Sequence, residues 1–378
     1  MKKDLNEFLV LGATLKFGLG KWNEAKKNLL ESNDDFIIVT SKSCKKFISD
    51  IPSKYILTVN QEPSLKSIDD YFYEISKILN RTTNLTFIAL GGGSVMDTAK
   101  ILSLMIGNNI KSSNEAIKKS NNNNISEKSK IICIPSTAGT GAEITPFSTI
   151  WDKENGRKYS ILTNKINREI ILDPEISISL PEKITITTGL DSLCQILEST
   201  WSKKATNTSL SAAKLGFEYL NQNLNNVITR PSDVESRQNM LFASFLSGVS
   251  ISISNTTLCH SISYPLTSIL NVPHGIACAL TLIEVIKFNS SEKERFLKNT
   301  FQAVNVENSE ILVKKISLML ESLNYKDAIE PFISKIEKNI DQLLPTSLSS
   351  RASNNPVIAK IRDIEKILKN SINYYKLY

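Results

Sequence analysis

Only two histidines, His260 and His274, occur among the 378 residues, and both lie in the segment CHSISYPLTSILNVPHG. A second segment, GLDSLCQILESTW, carries Asp191 and Gln195 four residues apart, which places both side chains on one face of a helix. A carboxylate and two imidazoles suit a borderline divalent metal such as Fe(II), Zn(II) or Ni(II). These four side chains are therefore candidate metal ligands. The alternative for each histidine is an ordinary core or surface position.

Glycine-rich loops follow two predicted strands and would suit a dinucleotide. In TFIALGGGSVMDTAK, the glycines 91–93 separate an apolar strand from a helix predicted to open at Ser94. Glycines let backbone amides approach an anion closely, and a helix N-terminus adds partial positive charge. The loop IPSTAGTGAEIT adds Thr137 and Thr140 after the next strand, so both loops are expected at one carboxyl edge of the sheet. The alternative is a turn needed only for packing, and the spacing matches neither GxGxxG nor a Walker loop.

The elements that would position these residues change character near residue 181. Upstream, short β-branched apolar runs alternate with an amphipathic segment, which predicts an open α/β sheet. The predicted strands are 35–40, 54–59, 85–90, 130–135, 146–152, 158–163 and 168–173, the predicted helix is 69–80, and a hairpin turn is predicted at 155–157. The polar, asparagine-rich stretch 107–129 is interpreted as a mobile surface insertion without function of its own.

Downstream of this point, helical periodicity dominates, as in SLSAAKLGFEYLNQNL and SRQNMLFASFLSGVSIS. The sequence therefore predicts two domains. Residues 1–180 would form an α/β dinucleotide-binding domain, and residues 181–378 would form an all-helical metal-binding domain.

Composition and charge exclude several classes of protein. With 45 basic and 38 acidic residues the net charge is +7, and no basic arm is present, so we expect no nucleic-acid partner. The longest apolar stretch, GIACALTLIEVI, is too short to span a membrane, and the N-terminus lacks a signal-peptide pattern. Five scattered cysteines without a CxxC pair predict reduced thiols in a cytoplasmic protein, not a disulfide or zinc framework.

Four motifs together resemble those of the iron-containing (group III) alcohol dehydrogenases: GGGSVMDTAK, STAGTGAEIT, GLDSLCQILES, and H-x13-H ending in PHG. The resemblance implies the fold shared with dehydroquinate synthase, an NAD(P)H cofactor and a homodimer. It also implies a divalent metal, with Fe(II) expected ahead of Zn(II) or Ni(II). Asp191, His260 and His274 match the metal ligands, and Lys158 matches a lysine that reaches the active site. The matching cofactor-binding positions are Gly92, Gly93, Ser94, Asp97, Thr137 and Thr140.

Three positions depart from the common family pattern. Gln195 stands where the family has histidine, and a neutral amide oxygen is a poorer ligand than imidazole. Tyr264 replaces a further histidine that many members carry, although its hydroxyl could still relay a proton. Ser41 follows the strand FIIVT where NAD-preferring members tend to have aspartate. With Lys45 and Lys46 nearby, this serine favours NADPH.

The Gln195 variant, with HSISYPLT and VPHGIACAL, most resembles the branch of the family that reduces phosphonoacetaldehyde to 2-hydroxyethylphosphonate. The resemblance thus implies metal-dependent, NAD(P)H-linked reduction of an aldehyde to a primary alcohol. Lys158 is a candidate partner for a dianionic substrate or, equally, a residue that positions the cofactor. The alternatives are a short-chain alcohol or lactaldehyde-type dehydrogenase, a dehydroquinate synthase-like enzyme, and a non-enzymatic basic binding protein.

Overall fold

The computed structural model describes residues 7–32, 35–51, 56–78, 85–122, 125–152, 154, 157–163 and 166–377. The chain divides into two compact units. The first unit comprises the described residues of 1–137, 141–180 and 232–241, and the second those of 138–140, 181–231 and 242–378.

A seven-stranded sheet forms the centre of the first unit. Its strands are β1 (Glu7–Val10), β2 (Ala13–Phe17), β3 (Asp35–Thr40), β4 (Ile56–Thr58), β5 (Leu85–Gly91), β6 (Lys130–Pro135) and β9 (Arg168–Leu172). They lie in the order β1-β2-β9-β6-β5-β3-β4, and every neighbouring pair is parallel except β1 with β2. Central strands such as β5 are apolar throughout because a parallel sheet is covered on both faces.

Helices and a small hairpin complete the first unit. The helices are α1 (Lys21–Glu31), α2 (Leu65–Ile78), α3 (Gly93–Gly107) and α4 (Ser113–Asn121). Strands β7 (Phe147–Asp152) and β8 (Arg157–Leu162) pair antiparallel in a separate two-stranded sheet.

The predicted strands are confirmed, with ends shifted by one or two residues where they can be compared. Helix α2 begins four residues before the predicted start, and α3 begins at Gly93, one residue before the predicted opening. The strands β1 and β2 and the helix α1 were not predicted. Residues 155–156 of the predicted hairpin turn lie outside the described residues, as do 54–55 and 79–80.

The interpretation of 107–129 as a mobile surface insertion is wrong for the described residues of this stretch. Ile110 and Ile125 are buried there, and the stretch contains helix α4, whose N-cap Ser112 accepts a hydrogen bond from the backbone of Glu115. The carboxylate of Glu127 forms a buried ion pair with Arg168 on β9. Buried apolar residues and a buried ion pair thus tie this otherwise polar segment to the rest of the first unit.

The second unit is helical, as predicted. Its helices are α5 (Glu182–Trp201), α6 (Asn207–Thr229), α7 (Val234–Ser254), α8 (Leu258–Leu270), α9 (His274–Leu280), α10 (Leu282–Glu292), α11 (Lys298–Val304), α12 (Ser309–Ser322), α13 (Tyr325–Lys338), α14 (Ile340–Leu343) and α15 (Ile361–Leu377). The first residues of α7 group with the first unit. Among the described residues, no single helix is long and apolar enough to cross a membrane, and only α7 with α8, bent by 108°, passes that test as a pair.

Candidate active site

One face of helix α5 carries three buried polar side chains. Asp191, Gln195 and Glu198 follow one another at i, i+4 and i+7, and they are 3%, 4% and 0% exposed. Leucines elsewhere on the helix are fully buried and anchor it in the core. Polar groups this deep need partners, so the neighbours of these three side chains define the chemistry of the site.

Glu198 supports the start of helix α8. Its Oε1 accepts hydrogen bonds from the backbone N–H of Thr257 at 3.1 Å, from the Thr257 hydroxyl at 2.8 Å, and from the backbone N–H of Cys259 at 2.8 Å. A buried carboxylate at a helix N-terminus satisfies amides that have no partner within the helix. Its other oxygen, Oε2, contacts Nδ1 of His260. The sequence analysis missed this residue, although it lies on the same helix face as Asp191.

The contact with Glu198 fixes the ring of His260. The opposite ring nitrogen, Nε2, then lies 3.2 Å from Oδ1 of Asp191. A histidine held through one nitrogen by a carboxylate, with the other nitrogen directed into a buried site, is the arrangement found in protein metal centres.

Gly275 lets helix α9 approach helix α5 closely. A Cβ atom at this position would lie 1.8 Å from the backbone oxygen of Thr187 and 3.0 Å from the backbone nitrogen of Asp191. Any larger residue would therefore push the two helices apart. The glycine in the PHG motif is needed for this packing, which sets the distance between α5 and helix α9 with its His274.

His274 is the first residue of α9. Asn271 ends α8 in the left-handed conformation with φ of 56°, and Pro273 then leads into the new helix. Nε2 of His274 lies 3.9 Å from Oδ1 of Asp191, and its ring centroid lies 5.5 Å from that of His260. The predicted convergence of Asp191, His260 and His274 is thus present in the structure.

Cys278 joins the same cluster. It follows His274 by one helical turn, and its Sγ lies 3.9 Å from Nε2 of that histidine. The ligand atoms of Asp191, His260, His274 and Cys278 all lie within 4.8 Å of one another. The sequence analysis interpreted the cysteines as reduced thiols and not as a zinc framework, and it did not consider the i, i+4 spacing of Cys278 and His274. All five cysteines are buried free thiols.

The charges of the cluster stabilise one another. Burial works to raise the pKa of Asp191, but the hydrogen bond from His260 and the charge of His274 outweigh it, so this pKa is lowered. Burial works to lower the pKa of His260, yet the charges of Cys278 and Glu198 raise it well above its usual value. Burial opposes ionisation of Cys278, and the two imidazoles still lower the pKa of this thiol to about 7.

Gln195 lies beside the cluster with its carbonyl oxygen engaged. Oε1 accepts a hydrogen bond from the hydroxyl of Ser247 on α7 at 2.8 Å. The side chain also hydrogen-bonds Asp191, and since a carboxylate only accepts, the amide nitrogen is the donor. In this orientation the predicted fourth ligand presents its nitrogen, not its oxygen, to the cluster.

Tyr264 lies one turn after His260 on α8. Its half-buried ring stacks on His274, with centroids 6.2 Å apart and planes 12° from parallel. The predicted proton relay residue therefore lies directly beside one of the two imidazoles.

The donor set fits a divalent metal. A carboxylate, two imidazoles and a thiol converge, all buried except the partly exposed His274, and one imidazole is already oriented by Glu198. Nitrogen and sulfur donors with one carboxylate are the ligands of Zn(II), Fe(II) and similar ions.

In the first unit, the two glycine-rich loops lie side by side. Strands β5 and β6 are parallel neighbours, Gly91 pairs with Pro135 at their ends, and the N–H of Ser136 donates to the oxygen of Gly91 at 2.9 Å. A Cβ on Gly92 would lie 3.4 Å from the Thr137 side chain. Gly92 caps α3, so Gly93 and Ser94 form its first turn. This is the predicted arrangement for an anion at a sheet edge.

Asp97 ties helix α3 to the neighbouring segments. Its carboxylate accepts a hydrogen bond from the N–H of Thr149 at 3.0 Å and pairs with the buried Lys100 at 3.0 Å. Lys100 in turn donates to the backbone oxygens of Ala142 and Phe147, each at 2.8 Å. Lys100 therefore ties helix α3 to the second loop at Ala142, and Asp97 holds this lysine in place.

The remaining predicted positions have the following surroundings. Ser41 follows β3, and its hydroxyl lies 3.0 Å from that of Ser43. Lys158 lies on β8, with Nζ 5.4 Å from the centre of the Trp151 ring. Thr140 belongs to a segment, 138–140, that groups with the second unit.

The segment 138–140 packs on helix α5. The hydroxyl of Ser192, next to Asp191, donates to the oxygen of Gly139 at 2.8 Å. A Cβ on Gly139 would lie 2.6 Å from that of Thr188 and 2.9 Å from its Cα. The glycine between the two threonines of the STAGTG motif is therefore required by this close approach to the helix that carries Asp191.

Individual relatives differ in how much of the chain they match. A phosphonoacetaldehyde reductase of Streptomyces viridochromogenes is 34% identical over 211 residues, which are 53% of this chain and 52% of that protein. The chain thus spans about half the length of that relative. An NAD-dependent methanol dehydrogenase of Bacillus methanolicus is 28% identical over 75% of this chain and 76% of its own.

Solved structures and family models extend the match to nearly the whole chain. A sulfoacetaldehyde reductase of Bifidobacterium kashiwanohense, solved in complex with NAD+, has a TM-score of 0.78 and 26% identity, covering 94% of this chain and 96% of that one. Residues 13–174 match the model of iron-containing alcohol dehydrogenases, and residues 185–372 match the C-terminal model of the same family. The chain therefore belongs to the iron-containing alcohol dehydrogenase family.

Proposed function

We propose that this protein catalyses the NADPH-linked reduction of phosphonoacetaldehyde to 2-hydroxyethylphosphonate at a divalent metal, with Fe(II) as the expected ion and Zn(II) or Ni(II) as alternatives. In the balanced reaction the aldehyde gains a hydride at carbon and a proton at oxygen, and NADPH becomes NADP+. The observation that carries the proposal is the convergence of the buried Asp191 and His260 with the partly exposed His274, with Glu198 in contact with His260.

Each part of the cluster has a separate task in this proposal. When bound, the metal polarises the carbonyl oxygen and the nicotinamide supplies hydride. Asp191, His260 and His274 hold the metal, and Glu198 keeps the His260 ring in the orientation that directs Nε2 to the site. Tyr264, stacked on His274, holds a hydroxyl that can pass a proton to the product oxygen.

The first unit supplies the cofactor site of the proposal. Gly92, Gly93, Ser94 and Thr137 form a cradle at the start of α3 that suits the pyrophosphate, because little side chain blocks the backbone and the helix adds partial positive charge. Asp97 and Thr140 are proposed as further cofactor contacts, in line with the family pattern.

The choice of NADPH rests on the end of strand β3. Ser41 offers a hydroxyl where a carboxylate would repel a 2′-phosphate, and Lys45, four residues later, is exposed. Lys46 is less available, since its ammonium donates to the hydroxyl of Ser179 at 3.0 Å.

The choice of substrate rests on two relatives with related names. One is called a phosphonoacetaldehyde reductase and the other a sulfoacetaldehyde reductase. The two aldehydes both carry a tetrahedral oxyanion next to the reacting two-carbon unit, so a site that accepts one is chemically close to a site for the other. Lys158 is the proposed cationic partner of that anion, with cofactor positioning as its alternative role.

A short-chain alcohol dehydrogenase or lactaldehyde-type dehydrogenase is the second candidate. The methanol dehydrogenase of Bacillus methanolicus aligns with 75% of the chain, more than the 53% aligned with the phosphonoacetaldehyde reductase. A methanol-sized substrate needs no cationic partner, so the two candidates differ in whether the anion matters.

The test is an NADPH-oxidation assay with phosphonoacetaldehyde, sulfoacetaldehyde, propanal and butanal, after chelation and reloading with Fe(II), Zn(II) or Ni(II). The proposal expects the highest kcat/KM for phosphonoacetaldehyde and its loss on chelation. A preference for propanal or butanal would favour the second candidate, and no turnover of any aldehyde would exclude both.

We also propose that the protein is a cytoplasmic homodimer. The five free thiols fit a reducing compartment. The mass of the purified protein in solution tests the dimer.

A further inference from the structure

We propose that Cys278 supplies a fourth, sulfur ligand to the metal, in place of the imidazole that the family has at position 195. The inference rests on the proposed function only in requiring that a metal binds the Asp191 cluster. It adds a thiolate to a centre for which the family pattern offers a carboxylate and imidazoles.

The geometry of helix α9 carries the inference. Cys278 and His274 lie one turn apart on the same face of α9, with Sγ and Nε2 separated by 3.9 Å. The sulfur also hydrogen-bonds His260, so it faces both imidazoles. Because all four donor atoms lie within 4.8 Å of one another, a single ion at their centre would be within bonding reach of each after small rotations of the side chains.

Cys278 is fully buried beside the two imidazoles. The residue is 0% exposed, and its thiol hydrogen-bonds both histidines of the cluster. The packing of α9 on α5, which Gly275 permits, places the thiol there together with His274. A thiolate among two imidazoles and a carboxylate is a strong donor set for borderline metals.

Gln195 is poorly placed to take the same position. Its oxygen accepts from Ser247, and its amide nitrogen donates to Asp191, so it acts as a neighbour that orients a ligand. The Ser247 hydroxyl has a second acceptor, the backbone oxygen of Ser244 at 2.9 Å. If the single hydroxyl proton of Ser247 is donated to Ser244, the side-chain amide of Gln195 can rotate. Its nitrogen then donates to Ser247, and its oxygen faces the metal. The experiment must therefore separate a sulfur ligand from an amide ligand.

Sulfur leaves a direct signature in the cobalt-loaded and zinc-loaded protein. Thiolate ligation gives Co(II) an intense near-ultraviolet charge-transfer band, and it gives Zn(II) a sulfur neighbour at about 2.3 Å in X-ray absorption spectra. Both would be recorded on the full chain for the wild type, Cys278→Ser, Cys278→Ala, Gln195→Ala and the control Cys133→Ala. Cys133 is a buried thiol on β6 in the other unit, so its removal tests whether loss of any thiol changes the spectra.

The expected result is a sulfur signal in the wild type, Gln195→Ala and Cys133→Ala, and none in either Cys278 variant. In the two Cys278 variants, metal affinity should fall by more than ~10–100-fold, which is the loss expected when a residue that only orients a ligand is removed. The double change Gln195→His with Cys278→Ser should restore affinity without the sulfur signal, which also shows that the Cys278 variant folds.

Three results would overturn the inference in different ways. One equivalent of bound Co(II) without a sulfur signal in the wild type would leave the proposed function intact but exclude Cys278. A sulfur signal that survives in Cys278→Ser would assign the ligand to another cysteine. Wild-type protein that binds neither Co(II) nor Zn(II) would exclude the metal centre itself and the proposed function with it.

Discussion

Glu198 contacts Nδ1 of His260 on the side of the ring opposite to Asp191, so a single imidazole bridges two buried carboxylates of the same helix. Replacing Glu198 by Gln keeps the size of the side chain but removes the charge that orients and polarises the ring. We expect metal affinity to fall about 10–100-fold, with a parallel loss of kcat/KM. The measurement is competition against a metal chelator, and the control is Glu284→Gln, a mostly buried carboxylate on α10.

Glu198→Ala should also lower the stability of the fold. It would leave the N–H groups of Thr257 and Cys259 and the Thr257 hydroxyl without their acceptor, at roughly 1–3 kcal/mol for each buried group that stays unsatisfied. Unfolding in urea without added metal measures this effect apart from metal binding. An Ala variant as stable as Glu198→Gln would mean that water or another group takes over these bonds.

Gly275→Ala should separate α9 from α5. The added Cβ would lie 1.8 Å from the oxygen of Thr187, so the backbone must move, and overpacking of this kind costs about 1–3 kcal/mol. Because His274 and Cys278 travel with α9, we expect weaker metal binding as well as a lower Tm. Gly216→Ala on α6 is the matched control, since its added Cβ would come no closer than 3.3 Å to any atom, namely Cδ1 of Ile196 and Cβ of Leu246. Equal metal affinity in both variants would contradict the link between helix packing and the site.

Much of this site was predictable because it is local or repeats a pattern. The strands that precede both glycine-rich loops are apolar runs of ordinary length, and Asp191 and Gln195 share a helix face through their spacing alone. That His260 and His274 meet Asp191 was not contained in the spacing; only the family pattern supplied it. The distances between them depend on helix packing, such as the Gly275 contact with Thr187, which a linear pattern does not encode.

What the sequence did not predict was mostly long-range. Glu198 acts on His260 from 62 residues away, and Glu127 pairs with Arg168 across 41 residues. Glu127 lies near the end of the stretch 107–129, which was interpreted as a mobile surface insertion because of its polar composition. Two misses had a local signal. Glu198 lies on the same face of α5 as Asp191, and Cys278 follows His274 by one helical turn, the same spacing that separates Asp191 and Gln195.

Ser41→Asp should change the choice of nicotinamide cofactor. A carboxylate at the end of β3 would bind ribose hydroxyls and repel a 2′-phosphate, so we expect the ratio of kcat/KM for NADPH to that for NADH to fall about tenfold or more. Ser49→Asp adds the same charge at an exposed position eight residues further along the chain and serves as the control. If the two variants change the ratio equally, the effect is general electrostatics and Ser41 does not contact the ribose.

Glu143, in the second glycine-rich loop, should make stability depend on pH. Burial raises its pKa to about 7 from an ordinary value of 4.5, although Lys100 and Arg168 oppose the rise. The folded protein therefore keeps this proton to a higher pH than the unfolded chain does. Between pH ~4.5 and ~7 the unfolded chain binds fewer protons, so stability falls as the pH rises through that window, by roughly 3 kcal/mol in full.

Glu143→Gln removes this dependence, because an amide has no proton to lose. We expect the variant to gain stability over the wild type at pH 8 and to match it more closely at pH 5, as measured by urea unfolding at both values. Glu31→Gln, an exposed carboxylate at the end of α1, should show no such change between the two pH values. A Glu143 variant that is less stable at pH 8 would instead indicate an ionised carboxylate whose attraction to Lys100 and Arg168 outweighs its burial.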